Sequence, residues 1–203
     1  MRNKTVTAKQ IAFPLNRAFT FVESGPVLLI STRHKGKNNL MTVSCHASMG
    51  FEPTLGICLG PWNFSYAALA ETGECVVAVP PAELMTAVVD IGNCSGETMD
   101  KFAAFNLTPQ PAREVGAPLV AECLYNLECR VANRDLVSEY NFFVLRGVRA
   151  WRNASATSAP DAEDATTYQS GTRAFHAVGD GSFIIDGDVV NLRHRMTKWQ
   201  DCI

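Results

Sequence analysis

Small polar residues recur between positions 39 and 45 of this chain, and their spacing is typical of a binding strand. In an extended strand successive side chains alternate between two faces. One face here carries Asn39, Met41, Val43 and Cys45, and the other carries Leu40, Thr42 and Ser44. Such a strand offers backbone N–H groups and hydroxyls at close range to a ligand. By itself the pattern also fits an ordinary barrel strand.

A second candidate segment lies at residues 59–66, where a Gly-Pro turn leads through Asn63 to Ser65. We expect Ser65 to be the N-cap of a short helix that ends at Gly73. A helix N-terminus with a free hydroxyl is a natural phosphate site, because unpaired N–H groups and the helix dipole both favour anions. A plain N-cap is the commoner use of such a serine.

A third segment combines a glycine-flanked loop, residues 92–96, with Asp100, Lys101 and Phe102. Lys101 could offer a positive charge to a phosphate. A solvated helix lysine has the same local sequence, so this segment alone decides nothing. Cys94 in the loop could be a reactive thiol, although an incidental role is commoner.

Several other classes of function are disfavoured. The net charge is −2, which argues against a general nucleic-acid-binding protein. Dinucleotide-binding, P-loop and nucleophile-elbow glycine motifs are absent from the sequence. The seven cysteines include no Cys-x-x-Cys pair and the four histidines have no ligand spacing, so no metal site is expected.

The remaining pattern predicts one mainly β domain over the 203 residues, a closed β-barrel with short helices. We expect strands at 27–32, 40–47, 55–60, 74–79, 124–131 and 141–151, with short strands after Phe175. Helices are predicted at 65–73, 83–91 and 99–104. Residues 152–168 are rich in Ala, Ser, Thr, Asp and Glu and are expected to form a mobile insertion. The apolar runs are too short to cross a bilayer, and a cytoplasmic location is expected.

Taken together, the three segments resemble the flavin reductase-like family, and within it the flavoredoxins. The likeness covers roughly residues 20 to 150 and depends on the order of residues 26–30, 39–42, 63–66, 92–96, 100–102 and 107–109. The resemblance implies an FMN-binding split barrel, assembled as a homodimer with the flavin near the subunit interface.

The resemblance also implies which positions meet the cofactor. Ser65 and Lys101 fall at positions that help hold FMN, and we assign both to its phosphate. The chain departs from its relatives at Asn141, where many carry a histidine beside the flavin, and in the insertion at 152–168. The implied cofactor-binding residues are Asn39, Met41, Thr42, Val43, Ser44, Cys45, Asn63, Ser65, Lys101 and Asn141.

Three functions follow from this resemblance. The first is an oxidoreductase that uses NAD(P)H to reduce FMN and passes electrons to a flavin or a protein acceptor. The second is an electron carrier of the flavoredoxin type, which receives electrons from a redox partner protein without oxidising NAD(P)H. The third is a split-barrel binding module that has lost its flavin. Hydride transfer from nicotinamide to flavin requires no side-chain acid or base, so no catalytic residue is named.

Overall fold

The computed structural model describes residues 25–50, 52–153, 173–188 and 190. The strands are β1 (Leu28–His34), β2 (Lys37–Val43), β3 (His46–Ser48), β4 (Thr54–Cys58), β5 (Glu74–Val79), β6 (Pro109–Gln110), β7 (Leu119–Val120), β8 (Tyr125–Asn133), β9 (Phe142–Arg152), β10 (Phe175–Ala177) and β11 (Phe183–Ile185). Seven of them form one antiparallel sheet in the order β2-β1-β5-β8-β9-β4-β3.

Within the described residues, four short helices interrupt the strands. They are α1 (Phe64–Thr72), α2 (Met85–Asn93), α3 (Lys101–Ala104) and α4 (Val137–Tyr140), and a 3₁₀ turn at Ala82–Leu84 precedes α2. The sheet curls into a half-barrel, which confirms the sequence prediction of a mainly β split barrel. In the described ranges no helix is both long enough and apolar enough to cross a membrane. Apart from residues 152 and 153, the predicted insertion lies outside the described residues.

Apolar residues pack on both faces of the sheet, as the alternation along β1 requires. Leu29 and Leu40 pack with Val88 of α2 and Phe102 of α3. The intervening β1 residues point to the other face, where the inner core contains Leu28, Ile30, Val43, Ile57, Leu69, Val77, Phe143 and Leu145. Helices α2 and α3 therefore cover one face, and α1 packs on the other.

The hairpin between β1 and β2 is tighter than its sequence indicates. The two strands pair as far as His34 with Lys37, which leaves a two-residue turn at Lys35 and Gly36. Both turn residues have positive φ, 49° and 81°, as the type I′ hairpin turn requires. The predicted strand at 40–47 is interrupted at residues 44 and 45, and β3 then pairs with β4 instead.

The start of α1 corrects one prediction. Asn63, and not Ser65, is the N-cap, and Ser65 is the second helical residue with 1% of its surface exposed. Asn63 Oδ1 accepts a hydrogen bond from the Gly60 N–H at 3.1 Å, within the Gly-Pro turn. The predicted end of the helix is confirmed, since Gly73 adopts the left-handed conformation with φ of 68°.

A buried carboxylate joins the centre of the sheet to the segment before β7. Glu128 of β8 is fully buried and accepts hydrogen bonds from the backbone N–H groups of Arg113, Glu114 and Val115 and from Trp151 Nε1. Burial alone would raise the pKa of this carboxyl. The four donors outweigh burial and hold the pKa below its usual range.

We expect Glu128→Gln to destabilise the protein by about 2–3 kcal/mol at neutral pH, because an amide cannot accept all four bonds. The pKa of Glu128 is lower in the folded protein than in the unfolded chain. Between these two pKa values the unfolded chain therefore binds more protons. The stabilisation is therefore complete above about pH 4.3 and is lost as pH falls through the folded pKa. Urea unfolding at neutral pH and near pH 3 measures both effects, with Glu83→Gln, at an exposed glutamate, as control. The same loss at both pH values would show that the Glu128 charge is not its cause.

Candidate functional site

Strand β2 is tied to α1 by a buried amide. Asn39 Nδ2 donates to Ser65 Oγ at 2.8 Å, and Thr32 Oγ1 of the adjacent strand donates to the same oxygen at 3.4 Å. All three side chains are at most 5% exposed. Ser65 therefore serves as a hydrogen-bond acceptor for two strands.

The opposite face of β2 is tied to α2. Thr42 Oγ1 donates to the backbone carbonyl of Val88 at 2.5 Å. Lys101 lies on the same side of the sheet, where its ammonium donates to the carbonyl of Ile91 at 2.8 Å. A lysine in this place satisfies a carbonyl at the C-terminal end of a helix and opposes the negative end of the helix dipole. Asn39 and Thr42 are thus anchored on different faces of one strand.

The loop between α2 and α3 packs directly onto the Asn39 amide. A Cβ atom built on Gly96 would lie 2.0 Å from Asn39 Oδ1 and 2.8 Å from the ring of Phe64. Only glycine permits this approach without displacing one of those neighbours. The three segments singled out in the sequence therefore meet at Asn39, Ser65 and Gly96.

Two polar groups, one on each face of β2, have unmet bonding capacity. Asn39 Oδ1 is buried and has no hydrogen-bond partner. Lys101 is 4% exposed, and in the described part of the chain no carboxylate forms an ion pair with it. Burial lowers the pKa of Lys101, and only the nearby Cys94 thiol opposes that shift. A buried charge without a counter-charge is costly, so a bound anion would stabilise this arrangement.

Strand β2 also has a free edge. Within the described sheet it pairs only with β1, so its other edge presents unpaired backbone N–H and C=O groups. Val43 is buried in the inner core and Met41 packs against it. Their side chains therefore serve the fold, and any contact they make with a ligand would come from the main chain.

Two cavities lie at opposite ends of β2. Asn39 and Asn63 line a cavity of about 450 Å³ that also borders the basic residues Lys35 and Lys37. Ser44 and Cys45 line a larger, mostly apolar groove of about 1030 Å³. The predicted residues thus fall into two groups, one at each end of the strand.

Asn141 lies where β4 ends and β9 begins, next to the large groove. It ends α4 in the left-handed conformation, with φ of 54°, and its carbonyl accepts a hydrogen bond from Leu59 N at 2.7 Å. That bond places it next to the end of β4. Within the described residues no hydrogen bond joins Asn141 to Ser65 or Lys101.

Sequence reasoning missed two residues at these places. Thr32 was counted only as part of an apolar strand, although a hydroxyl at the end of such a run was a usable signal. Cys58 was included only in the predicted strand at 55–60, but its side chain is exposed in the groove. Among the described residues, no three His, Cys, Asp or Glu side chains lie close enough together to hold a metal ion.

Comparison with known proteins agrees with this architecture. The sequence profile of the family described as "Flavin reductase like domain" matches residues 23–194. An uncharacterized protein of Archaeoglobus fulgidus is 31% identical over 145 residues, which cover 71% of this chain and 76% of the relative.

Two solved structures share the fold. An FMN-binding domain of a flavin reductase-like enzyme from Shewanella baltica has a TM-score of 0.71 and 21% identity, covering 89% of this chain and 96% of its own. Flavoredoxin from Methanosarcina acetivorans has a TM-score of 0.70 and 24% identity, covering 97% and 100%. With the profile match over most of its length, the chain belongs to the flavin reductase-like family and has the fold of the FMN-binding split barrels.

Proposed function

We propose that this protein binds FMN along β2 and acts as an oxidoreductase that moves hydride or electrons from NAD(P)H to a flavin or a protein acceptor. The observation that most supports the proposal is the pair of unmet polar groups, Asn39 Oδ1 and the Lys101 ammonium, at the end of an open strand edge. Buried groups of this kind are normally satisfied, and a ligand that satisfies them gains affinity.

The phosphate of FMN fits the end of β2 near α1 and α3. The phosphate would supply the counter-charge that no described carboxylate gives Lys101, and two of the three ammonium protons of Lys101 are not used by Ile91. Ser65, near the start of α1, and Asn63, on the adjoining cavity, would add polar contacts. Asn39 is the polar side chain of β2 that bonds to Ser65.

The ring system fits the other end. The free edge of β2 from Met41 to Val43 offers main-chain groups in a line, and the apolar groove begins at Ser44 and Cys45, where the strand ends. When bound, FMN supplies the electron-transfer chemistry itself, and the protein orients the ring and sets its potential through hydrogen bonds. Thr42, fixed by the Val88 carbonyl, would hold β2 in register during turnover.

The groove also bears on the assembly and on the electron donor. It is open and largely apolar, which fits a homodimer in which a second subunit completes the site. Asn141 stands where relatives often carry a histidine, and it belongs to the groove end. That difference favours, as a second candidate, an electron carrier of the flavoredoxin type that accepts electrons from a protein and not from a nicotinamide.

A visible absorption spectrum under anaerobic conditions tests the proposal. We expect added FMN to bind with shifted flavin bands, and NADH or NADPH to bleach them. Bleaching by a reduced redox protein but by neither nicotinamide would replace the reductase with the electron carrier. A protein that binds no FMN would contradict both and leave a split-barrel binding module.

Lys101→Ala tests the phosphate end. We expect this variant to bind FMN more weakly by about 1.5–3 kcal/mol, because one charge-assisted contact is lost. Riboflavin has the same ring and no phosphate, so it is the matched control in the same fluorescence titration. Equal losses for the two ligands would instead mean that Lys101 acts only by holding the end of α2.

A further inference from the structure

Two cysteines face each other across neighbouring strands in the large groove. Cys45 directly precedes β3 and Cys58 ends β4, and the Cys58 N–H donates to the Cys45 carbonyl at 2.9 Å. The β3–β4 register pairs His46 with Ile57, so Cys45 stands opposite Cys58. Opposed residues in antiparallel strands have Cα atoms about 4.5–5.5 Å apart and side chains on the same face. Natural disulfides span Cα distances of about 4.4–6.8 Å.

Both thiols are also accessible from the groove. Both residues are exposed and free. Both line the same groove. Burial raises the pKa of the Cys58 thiol, and negative charge on Cys45 raises it further.

A second cysteine pair in the same sheet provides a contrast. Cys75 and Cys129 are also opposed, on β5 and β8, but both are completely buried. A hydrogen bond from Cys129 and burial raise the pKa of Cys75 well above its usual range. Thiolates are the reactive form of cysteine, so this buried pair is inert. Of the two opposed pairs in the described sheet, only Cys45 and Cys58 are also accessible to solvent.

We propose that Cys45 and Cys58 form a reversible redox pair, which closes to a cross-strand disulfide by exchange with a low-molecular-weight disulfide that enters the groove. This inference concerns the thiols alone and does not depend on FMN binding. It therefore fails or succeeds separately from the proposed function.

The reaction balances in two exchange steps. Cys45, as thiolate, attacks one sulfur of the small disulfide; a mixed disulfide forms, the original S–S bond breaks, and one small thiolate leaves and takes up a proton. Cys58 then loses its proton and attacks Cys45 Sγ; the protein disulfide forms and the second small thiol leaves. Two protein thiols are oxidised by two electrons, and one small disulfide is reduced to two thiols.

The order of the two steps follows from the environments of the thiols. A raised pKa leaves Cys58 mostly protonated, and its Sγ lies 3.5 Å from the Tyr140 carbonyl, to which the thiol donates. Cys58 is therefore the slower first nucleophile and the resolving residue. Cys45 is exposed at the break between β2 and β3, and its thiol makes no hydrogen bond to another described residue.

Hydroxyethyl disulfide, added to the reduced full-length protein, is the probe. After acid quenching and alkylation, peptide mapping of the wild type should show Cys45 linked to Cys58 and no retained hydroxyethylthio group. In Cys58→Ser the linkage should be lost and the adduct should accumulate on Cys45. In Cys45→Ser the adduct on Cys58 should form more slowly. Dithiothreitol should restore both wild-type thiols.

Cys94→Ser is the matched control, because it removes a half-buried thiol outside the groove and should leave the linkage intact. A persistent adduct on Cys45 in the wild type would overturn the proposal. So would a bridge to any other cysteine or between two chains, or the failure of both thiols to react in the folded protein. Serine is nearly isosteric with cysteine and both positions are exposed, so circular dichroism should show folded variants.

Discussion

Two side-chain hydrogen bonds, one on each face, fix the position of strand β2. It is an edge strand with a buried amide, Asn39, on one side and a partly buried hydroxyl, Thr42, on the other, and such groups need hydrogen-bond partners. Asn39 finds Ser65 on α1 and Thr42 finds the Val88 carbonyl on α2. These two bonds fix both helices relative to the strand. They also leave the outer edge of β2 free of protein partners within the described sheet.

Two buried charged residues, Glu128 and Lys101, differ in how many hydrogen bonds they make. Glu128 receives four hydrogen bonds and lies at the centre of the sheet, where its role is structural. Lys101 makes one bond, to Ile91, and lies beside the open strand. An incompletely satisfied buried charge destabilises the free protein, and such groups concentrate at functional sites. This difference in satisfaction is the observation that supports the proposed role of Lys101 in holding a ligand.

Much of this could be predicted from the sequence, because it depends on local pattern. The alternation along β1 and β2 and the bounds of β5 follow from apolar runs between turn residues. The departures arise where contacts distant in sequence decide the outcome. The interruption at Ser44 follows from pairing with β4, and α4 has no local signal strong enough to reveal it.

The sequence indicated which residues lie in the candidate site, but not the structural role that each one has there. Ser65 was expected as an N-cap; it became an acceptor for Asn39 because the Asn63 turn starts the helix two residues earlier. Met41 and Val43 alternate with the polar residues as expected, yet their side chains belong to the inner core. Lys101 bonds to Ile91, and Cys45 lies opposite Cys58. Both contacts join segments that are distant in the sequence, so no local pattern predicts them.

Hydrogen–deuterium exchange with and without FMN tests the central claim most directly, that β2 and the segments anchored to it form the cofactor site. FMN should slow exchange along β2, at the start of α1 and in the loop that contains Gly96. The β10–β11 hairpin should be unchanged. Bound flavin that protects other parts of the sheet and leaves β2 unaffected would contradict the account.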